Sequence, residues 1–210
     1  MIDIQDRGVI MDGKDKSIDK QLEILEHILL QNRKLVDVLN ILEDYANESS
    51  KFKNYYLAAG CINQTVFNYY HGYDLDYGIK DFDIVYYDND ESYESEDIII
   101  KDLTKRLENV NVEFDIKNQS RVYLWYNEKY GTNREKYKSA EDAISSWGAT
   151  VTCVGVRFEN NKLKVCCPYG LNDIFSMIIR PVKRDFSKEL YLERANRWKN
   201  KWEKLNIIEW

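Results

Sequence analysis

Apolar side chains recur at helical spacing along residues 17–47. Because three or four positions make one helical turn, this spacing predicts two helices, or one helix with a break at the polar segment "QNRK". Ser17 or Asp19 is suited to cap the start. We expect one face of this segment to pack on the protein core; its members are Ile18, Leu22, Leu25, Ile28, Leu29, Val36 and Leu39.

Strand-like and helix-like segments alternate after residue 50. "YYLAA" predicts a short buried strand and "INQTVFNYYHG" a helix stopped by Gly72, with Gly60 as the turn between them. "DFDIVYYD" predicts a second strand, "ESEDIIIKDLTKRLEN" a helix, and "NVEFDIKNQ" a third strand. This order predicts a mixed sheet with helices packed on one side. The side chains expected to point inward from the second helix are Ile98, Ile99, Leu103 and Leu107.

The second half of the chain is less regular. "SAEDAISSW" predicts a short helix, and "TVTCVGVRF" with "KLKVCCPY" predicts a hairpin about the turn-prone triplet "ENN". "LNDIFSMIIR" predicts a helix N-capped at Asn172, and "SKELYLERANRWKNKWEKL" a long closing helix. We therefore predict one compact α+β domain. It would comprise an N-terminal helical segment (1–50), a core (51–126) and a C-terminal extension with the hairpin and further helices (127–210).

Composition excludes several classes of protein. The 210 residues are 44% hydrophobic, which is enough for a sizeable core. The polar start "MIDIQDRGVIMDGKDK" has no apolar centre suited to a signal peptide, and we expect a cytoplasmic location. The four cysteines form no Cys-x-x-Cys pair, which disfavours a structural zinc site and favours reduced thiols.

Charge is distributed unevenly along the chain. The net charge of −6 argues against a broad nucleic-acid-binding surface. Residues 74–102 carry 11 acidic and 2 basic side chains, whereas 180–204 carry 9 basic and 4 acidic ones. Poles of opposite sign would suit metal ions at one end and a polyanion at the other, although ordinary solvated surfaces would give the same pattern.

Two aspartates stand inside the apolar strand "DFDIVYYD". Successive side chains of a strand point to opposite faces, so Asp81 and Asp83 share one face while Phe82 and Ile84 point into the core. Neighbouring carboxylates repel each other unless a cation lies between them, and oxygen-only ligation suits Mg²⁺ or Mn²⁺. Asp115 in "EFDIK" is a candidate third ligand.

Two further residues compete for or complement this site. Glu113 shares the face of Asp115 by alternation and is the competing third acid. Gly60 precedes a predicted helix, whose first N–H groups can hold phosphate oxygens, and Gln64 lies one turn further along. The alternative for Gly60 is a plain tight turn.

Four segments together carry a family resemblance: "YYLAAGCINQTVFNYYHG", "YGIKDFDIVYYD", "FDIKNQSRVYLWY" and "CCPYGLNDIF". In this order and spacing they resemble a family of bacterial nucleotidyltransferase-like proteins in the DNA-polymerase-beta-type superfamily. The resemblance implies the nucleotidyltransferase fold. It also implies Gly60 as the phosphate-loop glycine, Asp81 and Asp83 as the metal-binding pair, and Asp115 as the third carboxylate. The chain departs from the usual Gly-Ser or Gly-Gly loop by having Cys61 after the glycine.

Polar residues that follow the third strand complete the candidate site. Asn118 and Gln119 suit base or sugar recognition, and Arg121 suits bidentate phosphate contact. The alternative is that the two amides satisfy backbone groups at the end of the strand.

Three remaining features have mainly structural interpretations. Asp173 is expected to cap a helix or to pair with Arg180. The cationic residues after it suit an acceptor surface or are ordinary solvated side chains; they are Lys183, Arg184 and Lys188. The acidic run "DNDESYESED" lacks the central glycine and terminal glutamate spacing of a calcium loop.

The resemblance implies a metal-dependent nucleotidyltransferase. Such an enzyme moves a nucleoside monophosphate from a nucleoside triphosphate to an acceptor hydroxyl, with Mg²⁺ or Mn²⁺ as cofactor. The net acidity favours a small-molecule acceptor over RNA or protein, and nothing in the sequence indicates a membrane partner. The alternative is a non-catalytic nucleotide- or metal-binding regulatory module on the same fold. A third alternative is an interaction partner such as a toxin–antitoxin component.

Overall fold

Five strands form one mixed sheet with the order β3-β2-β1-β4-β5. The computed structural model describes residues 10–129 and 133–210 in full, and the backbone of residue 130. Strand β1 is antiparallel to β2 and β4, β2 is parallel to β3, and β4 is antiparallel to β5. Two short strands, β6 and β7, form a separate parallel pair. The strands are β1 Tyr55–Ala58, β2 Asp81–Tyr86, β3 Glu113–Asn118, β4 Gly155–Glu159, β5 Lys162–Cys166, β6 Ile178–Ile179 and β7 Asn206–Ile207.

The described helices flank this sheet in chain order. The α-helices are α1 Ile18–Leu29, α2 Arg33–Glu48, α3 Gly60–His71, α4 Tyr93–Arg106, α5 Val122–Tyr130, α6 Ala140–Ile144, α7 Asn172–Phe175 and α8 Lys188–Lys199. Short 3₁₀ turns span Ser50–Phe52, Gln119–Arg121 and Thr150–Thr152. None of the described helices is both long and apolar enough to cross a membrane.

The N-terminal segment forms two helices, as one of the two alternatives predicted. The side chain of Ser17 accepts a hydrogen bond from the Lys20 N–H at the start of α1, and Asn32 caps α2 in the same way. Most of the predicted face is buried. The expectation for Ile18 was wrong: its side chain is 46% exposed, because it is the first residue of α1 and lies at the end of the buried stripe.

Helix α3 follows β1 after one connecting residue. That residue is Ala59, and Gly60 is the first residue of the helix, so the predicted turn lies one position earlier than expected. At the other end Gly72 has φ 70°, and its N–H returns to the carbonyls of Asn68 and Tyr69. Gly72 therefore ends the helix as predicted, because glycine adopts this left-handed conformation without a steric penalty.

Helix α4 buries a narrow stripe of its surface. Ile99, Leu103 and Leu107 are buried as predicted, whereas Ile98 is 59% exposed, so its inward placement was wrong. Successive residues of a helix are rotated by about 100° around its axis, so Ile98 points away from the direction of Ile99. Only the side of the helix that carries the stripe packs on the core.

The hairpin of β4 and β5 forms about the predicted triplet. Asn160 and Asn161 both have positive φ, which is the conformation that a tight two-residue hairpin turn requires and that asparagine tolerates. The first strand is shorter than predicted because residues 150–152 form a 3₁₀ turn.

Two predictions for the C-terminal segment were wrong in extent. The helix predicted over "LNDIFSMIIR" ends at Phe175, and Ile178–Ile179 instead pair with Asn206–Ile207. Asn172 does not cap this helix; its side chain accepts hydrogen bonds from the Asp15 N–H and the Gln21 amide. The closing helix α8 ends at Lys199, so that the chain can return to form β7.

The main core lies on the face of the sheet that carries Phe82 and Ile84, as the alternation predicts. Helices α1 to α4 and the buried side of α8 contribute to it. The opposite face has a smaller cluster in which Tyr56 and Val85 pack against Ala140 and Ile144 of α6. The predicted α+β fold with a mixed sheet and C-terminal hairpin is therefore confirmed, with the short α6 covering part of the second face. The rest of that face, at the start of β2, opens into a pocket.

Candidate active site

The predicted acids lie on adjacent parallel strands. Asp83 of β2 is paired in register with Asp115 of β3, and Asp81 with Glu113. Residues paired in this way point to the same face of the sheet. Asp81, Asp83 and Asp115 line one pocket, whereas Glu113 lines a separate depression. Among the two candidates for the third acid, the structure thus brings Asp115 to the aspartate pair.

A pocket of about 1020 Å³ surrounds these carboxylates. One side is built by the start of α3 and the strands β2 and β3, and the other by α5, the segment before α8 and α8 itself. Three of the five tryptophans line it, which gives its walls a large aromatic surface. The lining residues used below are Gly60, Gln64, Asp81, Asp83, Asp115, Lys117, Gln119, Trp125, Tyr126, Trp147, Phe186, Arg194, Arg197 and Trp198.

Asp83 is the carboxylate most perturbed by this environment. Its pKa is raised to about 7, mainly by burial and then by the charges of Asp81 and Asp115, while Lys117 and Arg194 act in the opposite direction. The three carboxylates are therefore close enough to repel one another. The metal-free protein relieves this repulsion by keeping a proton on Asp83 up to about neutral pH.

The carboxylate oxygens of the three aspartates are suitable ligands for a hard divalent cation. Three carboxylates supply oxygen ligands, and a bound cation would offset the burial and the neighbouring negative charges that raise the pKa of Asp83. Lys117 forms an ion pair with Asp115, and its ammonium lies 5.7 Å from the centre of the Trp125 ring. In the described part of the chain, no three His, Cys, Asp or Glu side chains are already arranged as a metal site. A cation held by all three aspartates would therefore require Asp115 to turn from Lys117.

The start of α3 faces the same pocket with free approach to its backbone. Ala59 has φ 55° and ψ −121°, a conformation that disfavours any side chain, and the helix has no side-chain cap. A Cβ atom built on Gly60 would meet the Gln64 side-chain nitrogen at 2.8 Å and no backbone atom. Gln64 is flexible enough to move aside, so the fold itself does not require glycine at position 60. Close approach of a ligand to the helix start would require it.

Cys61 does not contribute to the pocket. Its side chain is fully buried, and its thiol donates to the Ala58 carbonyl at 3.2 Å. Burial is the main reason that the pKa of this thiol is raised well above its usual value, followed by the charge of Asp83. The helix start thus offers backbone N–H groups to a ligand, without a side-chain donor at position 61.

Of the two amide residues at the end of β3, only one lines the pocket. Gln119 lines the pocket, whereas Asn118 is buried outside it. The Asn118 amide donates to the carbonyls of Asp88 and Asp90 and accepts from the Asp88 N–H, so it ties the loop after β2 to the end of β3. This is the backbone-satisfying alternative considered for it.

Arg121 also lies outside the residues that line the pocket. Its guanidinium forms a largely buried ion pair with Glu96 of α4 and donates to the Glu91 carbonyl at 2.8 Å. These contacts occupy the groups that would bind a phosphate. They place Arg121 as a link between α4 and the segment after β3.

The cationic residues singled out just before and at the start of α8 do not line the pocket. Arg184 pairs with Asp142, and the Lys183 ammonium lies over the Trp210 ring. Asp173 pairs with Arg180, one of the two structural roles expected for it, and also accepts from the Thr150 hydroxyl. Lys188 is exposed and does not line the pocket.

Sequence reasoning missed the cations and most of the aromatic residues that line the pocket. Lys117 could have been found from the local sequence, because it lies two residues after Asp115 and strand alternation places both side chains on one face. Arg194 and Arg197 belong to the basic stretch 180–204, and their spacing of three places them on one side of a helix.

The mixed sheet and its pocket define a polymerase-beta-type nucleotidyltransferase fold. A solved NMR structure, described as revealing a CCA-adding enzyme head domain, is similar to it with a TM-score of 0.67. The two are 26% identical, over 88% of this chain and 96% of that chain. No curated protein sequence matches significantly. Residues 46–207 match the model of the family described as Nucleotidyltransferase, and the chain belongs to this family.

Proposed function

We propose that this protein transfers a nucleoside monophosphate from a nucleoside triphosphate to an acceptor hydroxyl, with Mg²⁺ or Mn²⁺ as cofactor. The observation that carries the proposal is the convergence of Asp81, Asp83 and Asp115 on one pocket beside the start of α3. Membership in the family supports a nucleotide substrate. The carboxylates supply ligands for a cation, and the helix start supplies N–H groups for phosphate oxygens.

Each part of the pocket then has a chemical role. Asp81, Asp83 and Asp115 would hold the cation, and Asp83 would release its proton as it binds. When bound, the cation neutralises phosphate charge and acts as a Lewis acid. The backbone at Gly60, with Gln64 beside it, would position the triphosphate. Trp125, Tyr126, Trp147 and Trp198 offer flat surfaces on which a nucleobase can stack.

The transfer step itself balances as an in-line displacement. The acceptor oxygen bonds to the α-phosphorus as the bond to the bridging oxygen breaks, and pyrophosphate leaves. The acceptor proton passes to Asp115 or to water. Asp115 is the natural candidate because it lies in the same pocket as the aspartate pair, on the neighbouring strand. Positioning and electrostatics would supply most of the rate gain.

The acceptor is the least constrained part of the proposal. The net charge of −6 favours a small hydroxyl compound. The similar solved structure is described as a CCA-adding enzyme head domain, which makes an RNA end the second acceptor to test.

A non-catalytic nucleotide-binding module is the alternative function. Two observations favour it. Lys117 forms an ion pair with Asp115, and Cys61 presents no side-chain donor to the pocket at the helix start. A module of this kind would bind triphosphate without turning it over.

Pyrophosphate release tests the two functions against each other. The protein is incubated with each nucleoside triphosphate, Mg²⁺ or Mn²⁺, and either a metabolite extract or RNA. We expect turnover that falls by about 10³-fold or more in Asp81→Asn. The matched control is Glu113→Gln, an acid on the same face of the sheet but outside the pocket. Wild-type turnover in Asp81→Asn would refute the site. Triphosphate binding without turnover across the panel would favour the regulatory module.

A further inference from the structure

Two arginines of α8 reach into the pocket. Arg194 and Arg197 are three residues apart, so they lie on one side of the helix, and both line the pocket that contains the aspartates. Both are exposed to solvent, and within the described residues neither forms a hydrogen bond or an ion pair. By contrast, Arg134, which also lines the pocket, donates hydrogen bonds to the Tyr137 hydroxyl and the Asp185 carbonyl. The pocket thus has two guanidinium groups available for a ligand.

The charges of both Asp83 and Arg197 act on Arg194. Partial desolvation lowers the pKa of Arg194, the charge of Arg197 lowers it further, and Asp83 acts in the opposite direction. Because a guanidinium titrates far above neutral pH, both arginines stay charged. The two positive charges repel each other, and an anion bound between them would relieve that cost.

The helix that carries them is a firm platform. Tyr191 and Ala195 are buried, and the Tyr191 hydroxyl donates to the carbonyls of Ile179 and Ile208. The Arg194 guanidinium lies over the Phe186 ring at 4.9 Å from its centre. A group held in this way loses less freedom on binding a ligand than a solvated surface arginine does.

We propose that Arg194 and Arg197 bind the polyphosphate chain of the substrate, with Arg194 on the side nearer the aspartates. The inference rests on the proposed function, since it assigns the ligand of the same pocket. Guanidinium groups bind phosphate oxygens bidentately. The helix start provides backbone N–H groups and Cys61 no further donor, so α8 supplies the positive charge that several phosphates need. A triphosphate can bridge these two sides of the pocket, whereas a single phosphate reaches one of them.

Binding of inorganic tripolyphosphate tests this assignment without turnover. The dissociation constant is measured by calorimetry in the presence of Mg²⁺ for the wild-type protein, Arg194→Gln and Arg197→Gln. We expect each variant to bind roughly 10- to 100-fold more weakly, because a hydrogen-bonded charged pair is lost. The matched control, Arg33→Gln, removes an exposed arginine of α2 and should stay within about twofold of wild type. Orthophosphate should bind more weakly than tripolyphosphate and distinguish the variants less.

The outcomes separate this inference from the proposed function. Unchanged tripolyphosphate affinity in both arginine variants, or no tripolyphosphate binding by the wild type, would overturn the inference even if the enzyme turns over. Conversely, the expected loss without any pyrophosphate release would support the inference and refute catalysis. Thermal unfolding checks that each variant folds. Should Arg194→Gln fail to fold, the affinities of Arg197→Gln and Arg194→Lys for tripolyphosphate test the inference instead. Lysine keeps the positive charge but loses the bidentate geometry, so Arg194→Lys should also bind more weakly than wild type.

Discussion

Replacing Asp83 by asparagine should make the metal-free protein more stable at high pH. Asp83 has a pKa of about 7 in the folded protein, whereas 3.8 is the ordinary value expected in the unfolded chain. Below about pH 4 the carboxyl is protonated in both states and contributes nothing. Between about pH 4 and 7 the folded state holds more protons, so the free energy of unfolding falls as the pH rises. Above pH 7 the full penalty remains.

The size of the effect follows from the same shift. At about 1.4 kcal/mol per pH unit, the difference between the two pKa values corresponds to roughly 4 kcal/mol. Asp83 is partly accessible from the pocket, and solvent screening reduces that figure, so we expect about 2 kcal/mol. Asparagine keeps the shape of the side chain and removes its charge.

Urea unfolding in the presence of a chelator measures this difference. The free energy of unfolding is compared between wild type and Asp83→Asn at pH 5, 6, 7 and 8. His71, whose pKa is lowered mainly by burial, makes both proteins more stable as the pH rises towards the ordinary histidine value of 6.5. Because both proteins contain it, its contribution cancels in the difference. Asp37→Asn, an exposed substitution on α2, is the control for the loss of one carboxylate.

A difference between wild type and Asp83→Asn that stays constant from pH 5 to 8 would refute the reasoning. It would mean that Asp83 is ionised throughout and that Asp81 and Asp115 do not crowd it. Addition of Mg²⁺ gives a second reading. The cation should stabilise wild type more at pH 8 than at pH 6, because its ligand must first lose a proton, and it should stabilise Asp83→Asn less at both.

Two substitutions at the start of α3 separate fold from function. Gly60→Ala should change the free energy of unfolding by less than about 1 kcal/mol, because the new methyl group displaces only the end of Gln64. It should nevertheless weaken tripolyphosphate binding about tenfold or more, and a large loss of stability in urea would contradict this view of the glycine. Ala59→Gly should stabilise the protein by about 1 kcal/mol, since relief of the strained φ of 55° exceeds the entropy that glycine adds to the unfolded chain. Lower stability would show that Ala59 is not strained.

Local patterns were enough to predict the elements that carry the acids. The alternation in "DFDIVYYD" placed Phe82 and Ile84 in the core and both aspartates on the other face, and the structure agrees. The strand order also predicted that Asp115 would come from a neighbouring strand. These inferences succeed because side-chain direction in a strand depends on position alone.

Long-range pairing decided what the local patterns could not. Ile178–Ile179 continue an apolar run that suits a helix, yet they pair as a strand with residues almost thirty positions later. Arg121 has the chemistry of a phosphate ligand, but Glu96 of α4 engages it. Arg194 lies more than a hundred residues after Asp83, and no local pattern indicates that α8 returns to face β2.

A single ligand would explain why the pocket contains both a cluster of aspartates and a pair of arginines. Without a ligand, the aspartates repel one another and the two arginines repel each other, so like charges are crowded on each side of the pocket. In a complex of a divalent cation with a polyphosphate, the cation would bind at Asp83 and the phosphates would bind at Arg194. Each component should therefore raise the affinity of the pocket for the other, and thermodynamic linkage requires the two effects to be equal. Independent binding of cation and polyphosphate would mean that the acidic and basic sides serve separate ligands, and the pocket would then not be one nucleotide site.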